Sequence, residues 1–373
     1  MALLSHLRSR AKKISLPGVA LLLAGLLTAC VDEIDLGQAA NLDEGIVLQG
    51  SLRFDGRTAT VDVKLERLFS FASNRPDRIA SATVTLESES GARLDLPYRD
   101  GTYQATFDVD DPGLGLAAGV AYRILATTRE GRNFASEYER IPEAVAPTGL
   151  RTVPITIRRE SPTTGEMEDR AALSYRVSTP SVYPNGAPLY LRFRADQTFA
   201  LSQEEVFLPL TPRDTACYIT RSALSTEVAV LNGATYAPGP VTDAEVYTDL
   251  IDYRYALGSY ARVYQEAINA GAYQYFNQVA TLGDQSQSIF TNPPGPVTGN
   301  VYDVDGITGN VFGYFYAANV RTIRVGVTPA EADNPDTLCP FEVRGDQRPP
   351  LECTACAELD NSTIQKPDYW EFW

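Results

Sequence analysis

Chemistry in this chain has to be built from carboxylates and cysteines. The sole histidine among its 373 residues, His6, lies in a segment expected to be removed. A body without histidine supports neither a Ser-His-Asp nor a Cys-His mechanism, offers zinc no imidazole, and lacks the usual proton carrier near neutral pH. Carboxylates remain, 47 Asp and Glu in all, and two of them at the right spacing could hydrolyse a glycosidic bond. With so many acids, near pairs arise without chemical meaning, so no catalytic residue is assigned. Asp108-Val109-Asp110-Asp111 and Asp303-Val304-Asp305-Gly306 gather oxygen ligands. Neither follows the twelve-residue spacing of a calcium loop, and both read as solvated turns. No metal and no cofactor is expected.

Five cysteines divide into one and four. Cys217, Cys339, Cys353 and Cys356 are an even number, which in an exported chain reads as two disulfides with three possible connectivities. The Cys353-Thr354-Ala355-Cys356 spacing also suits a redox pair or half a zinc site. It sits in an irregular C-terminal stretch rather than at a helix start, where a thiolate would be stabilised, and structural disulfides are the reading preferred. Cys30 has another setting. Arg8, Arg10, Lys12 and Lys13 precede an apolar run from Val19 to Leu27, the architecture of a secretory signal. The run is too short to span a bilayer core, which needs roughly 20 apolar residues. Leu27-Thr28-Ala29-Cys30 resembles the lipobox of bacterial lipoproteins, which implies cleavage before Cys30 and acylation of its thiol. Asp32, Glu33 and Asp35 resemble the acidic export signal that Bacteroidetes place after such a cysteine. Residues 1–29 are thus expected to be a signal peptide and 30–44 a lipidated acidic tether, holding the protein at the outer membrane and facing the cell exterior.

The formal charge is −15, and it becomes more negative when the leader, with its four cations and no acid, is cut away. Such a balance repels phosphate backbones, which sets nucleic acid aside as a partner.

The elements that must position any site are strands. Val61, Val63 and Leu65 alternate with polar residues, as do Val84 and Leu86, Tyr103 to Val109, and Tyr122 to Ala126. Period two means one face buried and one wet. Turn formers such as Asp55-Gly56, Ser90-Gly91, Asp100-Gly101 and Glu130-Gly131 separate the runs. The pattern predicts a mainly β protein: an N-terminal immunoglobulin-like β-sandwich over residues 45–140, then a second β-rich domain over 149–373. Ile141-Pro142 to Pro147-Thr148 reads as a stiff connector between them. In the second domain Val153 to Ile157, Leu173 to Val177, Leu189 to Phe193 and Ile323 to Val327 predict strands, and 201–240 has no clear pattern. Apolar residues at Val263, Ala267, Ile268, Ala272, Tyr275, Phe276 and Val279 recur at helical spacing, which predicts one amphipathic helix at about 260–279, with Arg262 and Glu266 in water. Gly271 would weaken its middle by about 1 kcal/mol.

An ordered set of short motifs then becomes visible. Ile46-Val47-Leu48-Gln49-Gly50 opens the fold; Ser288 to Gly295, Val297-Thr298-Gly299-Asn300-Val301 and Val311-Phe312-Gly313-Tyr314-Phe315 follow the helix; and Cys-x-x-Cys with Lys366-Pro367-Asp368-Tyr369-Trp370 closes the chain. Together these resemble a family of Bacteroidetes lipoproteins carrying a domain of unknown function, DUF4249. The resemblance implies placement beside TonB-dependent receptors of the SusC type and defines no enzymatic residues. Gly299 and Gly313 read first as a joint where backbones approach closely. The expected function is a non-enzymatic surface lipoprotein that presents an unidentified extracellular ligand to a SusC-like receptor. A surface glycan hydrolase using two carboxylates and a purely structural envelope lipoprotein are the alternatives. The 20 tyrosines suit recognition, although most are expected to pack strands.

Overall fold

The computed structural model describes residues 45–68, 77–110, 113–161, 163–203, 215–223, 229–285, 297–306, 310–339 and 350–372. In chain order the strands of the first half are β1 (Ile46–Phe54), β2 (Thr58–Arg67), β3 (Asp77–Arg78), β4 (Thr83–Ser88), β5 (Arg93–Asp95), β6 (Tyr98–Arg99), β7 (Thr102–Asp108), β8 (Ala121–Thr127), β9 (Asn133–Ser136) and β10 (Glu139–Arg140). The second half adds β11 (Gly149–Glu160), β12 (Met167–Thr179), β13 (Tyr190–Gln203), β14 (Thr215–Ser222), β15 (Val230–Asn232), β16 (Val241–Leu250), β17 (Ser259–Ile268), β18 (Val301–Asp303), β19 (Val311–Phe312), β20 (Phe315–Val327) and β21 (Ser362–Thr363). The α-helices are α1 (Ala270–Gln285) and the single turn α2 (Leu351–Thr354). The protein is mainly β, as the alternation predicts. Among the described residues no helix is long and apolar enough to cross a membrane.

Those strands form three sheets among the described residues. The largest has twelve strands along the path β21-β14-β13-β17-β20-β1-β2-β7-β6, with β3, β15 and β19 at its flanks. One face of it is apolar and is covered twice. Over its N-terminal half, Leu48, Leu52, Val63 and Phe315 meet Leu86, Ile124 and Phe134 from the six-stranded sheet β18-β9-β8-β4-β5, in which β10 also pairs with β8. Over its C-terminal half, Leu191 and Val263 meet Leu173, Tyr175 and Val246 from the sheet β11-β12-β16. Burying each such side chain stabilises the fold by about 1.5 to 3 kcal/mol.

The boundary expected between 140 and 149 is not a domain boundary. β1 pairs antiparallel with β2 but parallel with β20, Gly50 lying beside Phe315 and Phe54 beside Asn319, so one sheet runs through both halves. The sandwich is therefore not an immunoglobulin-like unit closed within 45–140, because β18, β19 and β20 complete it. A central strand needs a partner on each edge, and β1 takes the second from residues 315–319. The proline-rich connector is stitched to this sheet: Asn319 Nδ2 donates to the Pro142 carbonyl at 3.0 Å, Gln265 Nε2 to that of Val145 at 2.8 Å, and Ile141 is fully buried. Glu44–Trp373 clusters as one unit.

The helix expected at 260–279 is two elements. Residues 259–268 are β17, paired along its length with β13 and β20, and the helix begins at Ala270. Val263 and Ala267 satisfy a period of four and a period of two equally. Ala261 and Gln265, buried in the same alternating series, satisfy only the second. Gly271 accordingly lies in the first turn of α1, where a Cβ would stand 2.7 Å from the Tyr314 hydroxyl oxygen.

The C-terminal tail is tied to the far edge of the large sheet by Cys217–Cys356, with Cys339–Cys353 closing a smaller loop beside it. β21 pairs with β14, and Trp370 is buried against Tyr218, Tyr260 and Phe372. Closing a 139-residue separation constrains the unfolded chain most. The double substitution Cys217→Ser/Cys356→Ser is expected to cost about 2 to 5 kcal/mol in chemical denaturation. Reduction of the native protein should also shift Trp370 emission to the red; unchanged emission would show that packing alone holds the tail.

The seam between β1 and β20 depends on glycine. Gly313 has φ +112°, and a Cβ there would lie 2.0 Å from the Leu48 carbonyl oxygen; one on Gly299 would lie 2.0 Å from the Gly313 carbonyl oxygen. Asn300 completes the joint, its Oδ1 accepting from the Phe315 N–H at 2.9 Å and its Nδ2 donating to the Phe315 carbonyl at 2.7 Å. Gly313→Ala is expected to cost about 4 kcal/mol or more. Gly306→Ala, also at positive φ but in open space, should cost only about 1 to 2 kcal/mol. Equal losses for the two variants in urea titration would contradict the close-approach account.

Candidate functional site

The second face of the large sheet carries polar and aromatic residues, and α1 lies across part of it. Register sets the neighbours: Ser51 stands beside Asp62 and Tyr316, Arg192 beside Glu266, and Arg194 beside Tyr264. Glu266 is the hub. It is fully buried, and it accepts from Arg194 Nε at 2.5 Å on Oε1 and from Arg192 Nη1 at 3.0 Å on Oε2. The Tyr316 hydroxyl donates to the same Oε2 at 3.2 Å and accepts from Arg192 Nη1 at 2.6 Å. Burial alone would lift the Glu266 carboxyl, but the charges of Arg194 and Arg192 outweigh it and hold the group below the ordinary glutamate value. A buried carboxylate without partners would be prohibitive, so the two arginines are conditions of the fold as well as of the site.

Rings attach the helix to this hub. Arg192 Cζ lies 4.4 Å from the centre of the Phe276 ring, Phe276 meets Tyr316 edge-on at 5.1 Å, and Tyr275 lies 4.8 Å from Tyr314. Between α1 and strands β1, β2 and β13 a cleft of about 430 Å³ stays open, a size that suits a small ligand. Arg53, Lys64, Arg192 and Arg194 line it with Tyr275, Phe276, Tyr314 and Tyr316. Arg53 is paired with Asp62, whereas Lys64 is exposed and has no ion pair among the described residues.

Farther along the same face, Asp196 accepts from Arg262 Nη2 at 2.7 Å and from the Tyr264 hydroxyl at 2.6 Å, and Arg324 lies 3.7 Å from the Tyr369 ring centre. Behind the cleft wall lies Glu139, 7% exposed. It accepts from the Tyr314 hydroxyl at 2.6 Å, Asn269 Nδ2 at 2.7 Å and Asn300 Nδ2 at 3.2 Å. Burial pushes its carboxyl up, and those three donors reduce the rise without cancelling it. A glycosidase acid also needs a raised carboxyl, but it must reach substrate. Glu139 is enclosed in the joint, and Glu266, which stands at the cleft, is held ionised.

The sequence motifs fall in different places. Cys30 with its signal segment and the tether 30–44, and the Ser288–Gly295 segment, lie outside the described residues. The four remaining cysteines form the two disulfides of the tail, away from the cleft. Gly299, Asn300 and Gly313 form the joint, and Tyr314 extends from it into the cleft wall. Asp303 makes a local turn, accepting from the Asp305 N–H at 2.9 Å, while Asp305 accepts from Asn133 Nδ2 at 3.0 Å. Asp108 accepts from the Thr58 hydroxyl at 3.0 Å, and Asp111 lies outside the described residues. Among the described residues no group of three or more metal-ligating side chains is gathered. Several tyrosines serve the core: Tyr175 stacks on Tyr247 at 4.2 Å and shares a hydrogen bond with Tyr255, which donates to Asp249.

Residue spacing alone missed the cleft cations and Glu266. Their signal was present as Arg192-x-Arg194-x-Asp196 and Tyr260-x-Arg262-x-Tyr264-x-Glu266, polar on every second residue. Reading 260–279 as a helix placed Arg262 and Glu266 in water instead.

A titration follows from Glu139. A carboxyl with a raised folded value keeps its proton at pH values where the unfolded chain has released it. The folded state then binds more protons, and stability falls as pH rises from about 4.3 through the raised value. Glu139→Gln should remove that downward segment from the pH dependence of the urea midpoint. Parallel curves for the two proteins would show that Glu139 does not carry it.

The family model described as domain of unknown function (DUF4249) matches residues 32–324. The matched region takes in the N-terminal sandwich as well as the part after residue 149. No curated protein matches the chain.

Proposed function

This chain belongs to the DUF4249 family, and from that premise we propose that it is a lipid-anchored, non-enzymatic capture protein of the outer membrane. In this reading Cys30 carries the acyl chains, the body faces the cell exterior, and the cleft beneath α1 holds a small extracellular ligand for transfer to a TonB-dependent receptor of the SusC type. The observation that carries it is the cleft, open beside a rigid hub and lined by rings and cations. Two further features support the address. The leader and its small residues end on Cys30, and disulfides persist in oxidising compartments outside the cytosol. Rigid strands on one side and a single helix on the other suit binding with little ordering cost.

The test is recovery of the tagged full-length chain in mild detergent from cells that hold SusC-type receptors. A barrel receptor is expected to co-purify, and mass analysis should find the mature N-terminus to be an acylated Cys30. Recovery with no receptor at any stoichiometry, or an N-terminus without fatty chains, would overturn the proposal.

A further inference from the structure

The charge of the cleft deepens the capture reading, on which this inference rests, by specifying the ligand. Four cations line or floor it, Arg53, Lys64, Arg192 and Arg194, against two acids, Asp62 and Glu266. The surplus is positive in a chain whose formal charge is −15. Structure accounts for part of this set: Glu266 needs a guanidinium, and Asp62 occupies Arg53. It does not account for Lys64. Arg192 Nε is also buried with no acceptor among the described residues, and an unmet buried donor is costly. Arg192 nevertheless stays beside the opening, its guanidinium fixed by Glu266, Tyr316 and the Phe276 ring. Across the same space Tyr275 and Phe276 offer flat apolar surface.

We infer that the cleft binds a small organic carboxylate, with its anionic head toward Arg53, Lys64 and Arg192 and a flat apolar body against Tyr275 and Phe276. A planar carboxylate matches the fork of an arginine better than a spherical anion does. Partial enclosure by protein also strengthens the attraction relative to open water.

The full chain in mild detergent is titrated calorimetrically with 4-methylbenzoate and, as the neutral match, 4-methylbenzyl alcohol, each corrected against the micelles alone. The carboxylate is expected to bind about tenfold or more tightly than the alcohol, and less tightly as salt rises. Lys64→Gln should weaken the carboxylate about five- to tenfold and leave the alcohol unchanged. Phe276→Ala should weaken both, and the unfolding midpoint of each variant shows that it has folded. Equal binding of the two probes, still lost in Phe276→Ala, would overturn the carboxylate assignment and leave the capture reading standing. Absence of binding by either probe up to about 10 mM would overturn the assignment together with the use of this cleft for capture.

Discussion

The parallel contact of β1 with β20 is the constraint on which the rest depends. It brings residues more than 260 positions apart into register, and it does so where backbones meet without side chains between them, at Gly299, Gly313 and Leu48. Parallel pairing with so distant a strand cannot form from a local hairpin, so the seam has to be specified by shape. Glycine supplies the clearance. Asn300 supplies the specificity, because its side-chain amide satisfies both backbone groups of Phe315 as a neighbouring strand would. With the seam closed, the twelve-stranded sheet has two complete faces, and each has a separate use.

The apolar face is consumed by structure, since two smaller sheets cover it in succession. Among the described residues the polar face receives α1 and the disulfide-tied tail, one toward each end. α1 is anchored by contacts that reach directly from the seam. Tyr314, the residue after Gly313, touches Tyr275 by its ring and Glu139 by its hydroxyl. Asn269, just before α1, donates to the same carboxylate. The wall of the cleft is therefore set by the joint that fuses the two halves of the chain, and the cleft's geometry is inherited from the fold rather than from mobile loops.

Much of the strand pattern was legible because alternation survives wherever one face is wet. Val61, Val63 and Leu65 became β2, and Leu173 to Val177 became β12, as their spacing implied. Three things were not legible, each for a physical reason. Val263 and Ala267 fit periods of two and four alike, so β17 was read as helix. The connector from Ile141 to Thr148 has the composition of a linker, and its anchoring depends on Asn319 and Gln265, side chains over a hundred residues away. Glu266 looked like an exposed helix residue, because its burial depends on arginines in β13 that only pairing brings near. The Gly299 and Gly313 joint, by contrast, was legible as a place of close approach, since few other roles need glycine at both.

The placement of charge follows from the same topology. Like charges gathered in one place repel, and an acidic chain would relieve that repulsion most simply by spacing acids among its cations. Asp196 does this for Arg262, and Asp62 does it for Arg53. At the cleft the relief is incomplete, because one Glu266 carboxylate serves two guanidiniums and Lys64 has no ion pair among the described residues. Glu266 cannot be released to balance them differently, since it is fully buried and depends on both. The surplus is thus locked in by burial. On the carboxylate proposal, a positive cleft in a net negative chain focuses the local field and draws anions inward. On the same proposal, that contrast favours ligands small enough to enter with their charge over large polyanions, which the net negative chain repels.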